Sequence, residues 1–168
     1  LDILFAVGQT PSVLVAADEF RSAPFIGWLG RALQTVWVRR KCPLSRSRVR
    51  ETVVRKVKEG TSVFVFPEGQ TTGAHAVQEV KPGLFRTAVE ESLPIAFLSI
   101  RYSNPAPLYF HTMGPGFFRD WLRHAWHVLC QPQLGVVLKV SVPMFYSSPE
   151  QAQEAFYAFH QRHLRRAA

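Results

Sequence analysis

Cysteine is nearly absent: among 168 residues only Cys42 and Cys130 occur. They lie far apart, in neither a C-x-x-C nor a Cys/His spacing, so neither suggests zinc or redox chemistry. They read as two free thiols of a reducing compartment, and their spacing alone leaves a pairing between them open. A chain of this length buries roughly 68–70% of its unfolded surface as one domain, so it needs no metal or disulfide staple. Acids are scarce too, 12 against 20 lysines and arginines, for a net charge of +8. Such an excess favours polyanionic partners, whether nucleic acid, anionic lipid or a phosphorylated substrate, without choosing among them. No run of 18 apolar residues is present, which excludes a spanning helix in this stretch and leaves surface association with a membrane open. Repeats, low-complexity tracts and linkers are also missing. The chain opens on Leu1-Asp2-Ile3-Leu4 without initiator methionine, basic n-region or cleavage pattern, and reads as an excised segment.

What is present alternates between strand and helix patterns. After a first helical turn over Asp2–Val7, the apolar run Ser12–Ala17 reads as a buried strand. Pro24 opens a helix carrying Phe25, Leu29 and Leu33 at i, i+4, i+8, with Gly27 and Gly30 permitting close backbone packing. Thr35–Val38 is a second strand. Residues 39–58 hold nine lysines and arginines against the single acid Glu51. Most of this stretch reads as a helix with Ser47 as N-cap, a stripe of Val49, Val53 and Val57, and Gly60 as the residue after its end. Thr61–Phe66 is apolar on both alternating faces, as in a central strand covered on each side. A polar loop over 73–79 leads to a helix from Pro82 to Glu91 with Leu84, Phe85 and Ala88 inward. Strands follow at Pro94–Tyr102 and Val136–Val142, and between them an aromatic stretch, 109–126, with a helix over Phe117–Leu129. A last helix runs from Pro149 to Arg166. The order implies a single α/β layered domain over residues 1–168: a central mixed, largely parallel β-sheet flanked by helices.

The chemistry concentrates in Phe66-Pro67-Glu68-Gly69-Gln70-Thr71-Thr72, a carboxylate and a glycine where a buried strand ends. Ligands of α/β sheets bind beyond the carboxyl ends of strands, where backbone N–H groups become free. Phe66-Pro67-Glu68-Gly69 resembles the F-P-E-G-T-R signature of the glycerol-3-phosphate and lysophosphatidate acyltransferase superfamily. The segment from Pro24 to Gly30 is similar to that family's P-x-x-G stretch. Val36-Trp37-Val38-Arg39-Arg40 resembles its second block, with Arg40 on the arginine. Lys81-Pro82-Gly83-Leu84-Phe85 resembles its K-x-G-x-F helix start, and Leu93-Pro94-Ile95 the opening of its fourth block. Five motifs in order cover the chain to about residue 145.

The family's first block is a histidine followed five residues later by an aspartate, and Asp2 resembles that aspartate. The histidine would then precede Leu1, and the segment by itself would lack the general base and be inactive. The resemblance implies a one-step acyl transfer from an acyl thioester, acyl-CoA or acyl carrier protein, to the hydroxyl of a lysophospholipid or related lysolipid. It needs no cofactor. Asp2 and Glu68 are the candidate catalytic residues. Arg40, Phe66, Pro67, Gly69, Gln70, Thr71, Thr72 and Lys81 are the candidate substrate-binding residues, Arg40 because a guanidinium chelates phosphate in two-pronged fashion. Thr71 stands where the family has arginine, as in a branch that includes lyso-ornithine-lipid acyltransferases. Gln34 replaces a usual glycine, Arg39 a frequent aspartate and Phe97 a frequent proline, which bears on acceptor identity more than on reaction type. None of the six histidines, His75, His111, His124, His127, His160 and His163, has the required aspartate spacing or a convergent ligand set, so no metal is expected. A membrane-associated protein is implied, at the cytoplasmic face of a bacterial inner membrane or, as the alternative, on a eukaryotic organelle membrane, with membrane lipids and no nucleic acid as partners. Two alternatives are a non-catalytic lipid-binding relative and a basic nucleic-acid-binding module; against the latter, the aromatics do not interleave with the basic run.

Overall fold

In the computed structural model, the described residues are 12–69, 79–102 and 135–165, with Arg119, Leu122, Arg123, Trp126, Cys130, Pro132 and Gln133. The expected first helical turn, Asp2–Val7, and most of the 73–79 loop and of the aromatic stretch lie outside them. Arg119, Leu122, Arg123 and Trp126 are helical, in keeping with the helix expected there.

The chain forms an α/β layered structure built from two β–α–β crossovers. Strand β1, Ser12–Ala17, leads through a short 3-10 turn to helix α1, Pro24–Ala32, and strand β2, Val36–Val38. Helix α2, Pro43–Lys58, then carries the chain to β3, Ser62–Phe64. The order is β2-β1-β3, and both pairings are parallel, with Ala17 opposite Val38 and Leu14 opposite Phe64. Among the described residues the central strand of this ladder is therefore β1, and the 61–66 segment expected there lies beside it. β1 is the longest and best buried strand of this ladder, with Val13, Leu14 and Ala17 inside, whereas Val63 and Phe64 are half-buried.

The glycines of α1 act as expected. A methyl at Gly27 would collide with the Arg21 carbonyl oxygen, and one at Gly30 with the Trp37 ring. α2 starts four residues before Ser47, because Pro43 has its φ preset for a first helical position. Cys42 is the N-cap, and the Ser47 hydroxyl instead donates to Glu51 Oε1 at 3.1 Å. Helix α3 is Gly83–Glu90, with Phe85 and Thr87 buried and Leu84 and Ala88 half-buried.

Three helices end alike. After α1, α2 and α3 the chain turns through Gln34 (φ 50°), Gly60 (φ 83°) and Ser92 (φ 50°). Each ending carries the paired bonds of a Schellman motif, for example Thr61 N–H to Lys56 O and Gly60 N–H to Val57 O, both 2.9 Å. Gly60 takes this conformation freely; Gln34 and Ser92 pay the left-handed penalty of about 1–2 kcal/mol. The glutamine at position 34 thus takes the left-handed position of a helix end.

Beyond α3, strands β4, Leu98–Tyr102, and β5, Val136–Val140, pair antiparallel, with Ile100 opposite Leu138. Among the described residues this ladder is separate from the parallel one. It matches the sequence pattern at the Tyr102–Val136 end and is shorter at the other, where Ile95 meets Met144 only in an isolated bridge. Helix α4, Pro149–Arg165, covers it. Val80, Phe85, Phe97, Ala152 and Phe156 form the buried cluster between α3, β4 and α4. Phe156 meets Phe85 edge-on at 6.0 Å and Phe97 at 5.7 Å between centroids. Each such ring contributes roughly 1.5–3 kcal/mol by burial, and each edge contact about 0.5–1.5 kcal/mol more. Phe97 is therefore part of the core. Burial raises the Tyr146 phenol above its ordinary pKa, so the ring packed on Phe97 stays neutral.

Candidate active site

Parallel pairing brings the carboxyl ends of β1, β2 and β3 to one edge of the sheet. There β1 runs into Asp18, β2 into Arg39 and Arg40, and β3 into Phe66-Pro67-Glu68-Gly69. Carrying the observed register forward puts Pro67 level with Ala17, and Ala17 is level with Val38.

The 66–69 segment is a tight turn. Gly69 N–H donates to Phe66 O at 3.0 Å, with proline at the second position and glycine at the fourth, as a type I turn favours. Gly69 has φ 65°, a conformation that other residues rarely adopt. Lys81 closes against it: its N–H donates to Pro67 O at 3.0 Å, and a methyl on Gly69 would lie 3.6 Å from Lys81 Nζ. The preceding Val80 N–H donates to the Tyr157 hydroxyl at 3.0 Å, so α4 pins the segment that carries Lys81. Phe66 is 40% exposed at this edge, and Glu68 is half-buried.

At the other end of the ladder, the turn 39–42 is closed by Cys42 N–H to Arg39 O at 3.0 Å. Arg39 N–H donates to Ser45 Oγ at 3.0 Å, fixing this turn to the first turn of α2. Arg39 Nε and one Arg21 nitrogen each lie 3.8 Å from the Asp18 carboxylate. Arg40 is exposed and makes no ion pair among the described residues. Two strand spacings, about 10 Å, separate β2 from β3.

The structure thus gathers Arg40, Phe66, Pro67, Glu68, Gly69 and Lys81 on one edge. Asp2, Gln70, Thr71 and Thr72 lie outside the described residues. Two contributors escaped the sequence reading. Asp18 engages Arg39, and its signal was its place as the first residue after β1; Tyr157, which anchors Val80, had none. Among the described residues no three metal-ligating side chains converge.

An α/β domain with its polar groups at the carboxyl edge of parallel strands defines the class, and comparison with known proteins narrows it. Residues 1–101 match the family described as Acyltransferase, and the chain belongs to that family. It is 33% identical over 148 residues to human lysophospholipid acyltransferase LPCAT4, covering 86% of this chain and 26% of that protein. It is 30% identical over 95 residues to a lyso-ornithine lipid O-acyltransferase of Rhodobacter capsulatus, covering 54% of this chain and 34% of that protein. The fold matches the crystal structure of PlsC, the 1-acyl-sn-glycerophosphate acyltransferase of Thermotoga maritima, with a TM-score of 0.58 at 20% identity over 94% of this chain and 57% of that one. The chain therefore spans about a quarter to a third of these two curated relatives. Among the described residues no helix is long and apolar enough to cross a membrane.

Proposed function

We propose that this chain forms most of the catalytic domain of an O-acyltransferase that moves a fatty acyl group from acyl-CoA or acyl carrier protein to the hydroxyl of a lysophospholipid or related lysolipid. The observation that carries the reading is the shared sheet edge, with Arg40 at one end and the Glu68–Gly69 turn with Lys81 at the other. The acceptor's anionic headgroup meets Arg40 and Lys81, while the Phe66–Thr72 segment positions the rest of it. A histidine five residues before Asp2 takes the proton of the acceptor hydroxyl. The hydroxyl oxygen attacks the thioester carbonyl, the C–O bond forms, the C–S bond breaks, and the proton passes to the departing thiolate. Asp2 holds the imidazole in the required tautomer and stabilises its charged form, with no covalent acyl-enzyme needed. Glu68 acts beside the reacting groups at the turn. Substrate and product are lipids, which places the enzyme at a membrane surface, and in a bacterium at the cytoplasmic face of the inner membrane.

The test compares the 168-residue chain with a form extended upstream through the histidine. The extended form turns over acyl-CoA and lysophosphatidate, and the shorter one does not. In the extended form Arg40→Ala and Glu68→Ala each reduce kcat/KM for the acceptor roughly ten- to a hundredfold, the scale of a lost charged hydrogen bond, at unchanged melting temperature. Equal turnover by both forms removes the histidine from the mechanism. Unchanged acceptor kinetics in the two variants returns Arg40 and Glu68 to the ordinary surface, and no turnover by a folded extended form leaves a non-catalytic lipid-binding relative.

A further inference from the structure

The charges of α2 are distributed unevenly. From its middle to its C-terminal end, Arg50, Arg55 and Lys58 share a groove with Glu51, Glu90 and Glu91. The Lys58 ammonium pairs directly with the Glu91 carboxylate at 2.6 Å. The N-terminal end has no such balance. Residues 39–48 contain no acid, and of their cations Arg39 alone meets a carboxylate among the described residues, that of Asp18. Arg40, Lys41 and Arg48 stay exposed. Leu44 stands among them 72% exposed, at the lip of a groove of about 310 Å³ that Val36, Trp37 and Cys42 also line. Leu44 and Arg48 are four residues apart and so share a helix face. Folding does not explain the arrangement, because cations near the positive end of a helix dipole are disfavoured and an exposed leucine gains no burial.

We propose that this end of α2, with the turn before it, docks on an anionic lipid surface. Lys41 and Arg48 meet headgroup phosphates, and Leu44 enters the boundary between headgroups and acyl chains. A nucleic acid would engage the same cations but leave Leu44 in water. The patch continues into the candidate site, since Arg40 lies in the same turn and Arg39 N–H is held by Ser45 of α2. Docking therefore sets the acceptor edge against the membrane from which a lysolipid comes. The choice of a lipid occupant leans on the proposed function, but binding is measured without donor or acceptor, so the two readings fail separately.

The experiment is sedimentation of the protein with vesicles of phosphatidylcholine, alone or mixed with phosphatidylglycerol, at low and high salt, after melting curves establish that each variant is folded. Binding requires phosphatidylglycerol and weakens with salt. Lys41→Gln with Arg48→Gln weakens it roughly tenfold, on the scale expected for two surface cations. Arg50→Gln with Arg55→Gln removes the same charge and weakens it less than about twofold, because neighbouring acids already screen those cations. Leu44→Ser weakens it about fivefold at both salt concentrations, the signature of an inserted apolar group. Equal losses in the two double variants would overturn the proposal in favour of net charge alone. Binding that ignores Leu44→Ser, or is outcompeted by duplex oligonucleotide at equal phosphate, would overturn it in favour of a nucleic-acid surface.

Discussion

Around Phe97 and Phe156, α3, β4 and α4 close on one another through aromatic edges, and the buried cluster there is almost wholly apolar. At the carboxyl edge of the parallel sheet the reverse holds: strands of three residues, a positive-φ glycine, half-buried Glu68 and exposed Arg40 and Lys81. The aromatic region is built to be stable, whereas the sheet edge keeps polar groups presented at some cost in burial. The segment between the two regions is anchored by a hydrogen bond from Val80 N–H to the Tyr157 hydroxyl, and Lys81 N–H beside it reaches Pro67 O. The first of these bonds lets the stable part hold the segment carrying Lys81 in place without covering it.

Substitutions test this division. The largest expected effect is in the aromatic core: Phe156→Ala removes a ring in contact with Phe85, Phe97 and Tyr157, and costs about 3–5 kcal/mol. A chemical-denaturation midpoint measures it, and a loss below about 1 kcal/mol would mean that the core is not where stability resides. Next comes the bridge between regions. Tyr157→Phe keeps the packing but strands a Val80 N–H in a buried position, for about 1–3 kcal/mol. If the bridge serves the site, the variant also raises KM for the acceptor while leaving the aromatic packing intact, as near-ultraviolet circular dichroism would show. The smallest effect carries the opposite sign. Gln34→Gly relieves a left-handed φ of 50° and stabilises by about 1 kcal/mol, with acceptor preference unchanged. A shift in acceptor preference in that variant would return position 34 to the site.

The comparison also shows which features could be read in advance. Ser12–Ala17 and the start of α1 at Pro24 came straight from composition, because a short β-rich apolar run and a proline at a first helical position are local signals. Gly60 was legible as a helix end for the same reason, glycine being the residue that takes positive φ freely. The start of α2 was misplaced because two local signals competed, and Pro43 prevailed over Ser47. Among the described residues β1, rather than the 61–66 segment, is the central strand. Thr61–Phe66 is apolar on alternating faces, but apolarity reports burial capacity, and the ladder order comes from how the crossovers return to the sheet.

The candidate site divides along the same line. The sequence by itself determined the residue types and their order: the Pro-Glu-Gly turn after a strand, the arginine after another, and a lysine at the start of a helix. These depend on local backbone preference and on motif spacing, which short segments encode. Only the tertiary structure decided that Arg40 and the Glu68–Gly69 turn share one edge, that Asp18 engages Arg39 and leaves Arg40 unpaired among the described residues, and that Tyr157 holds the segment next to Lys81. The physical reason is that these relations join residues twenty-one to seventy-seven positions apart, through parallel pairing and packing that no local preference specifies.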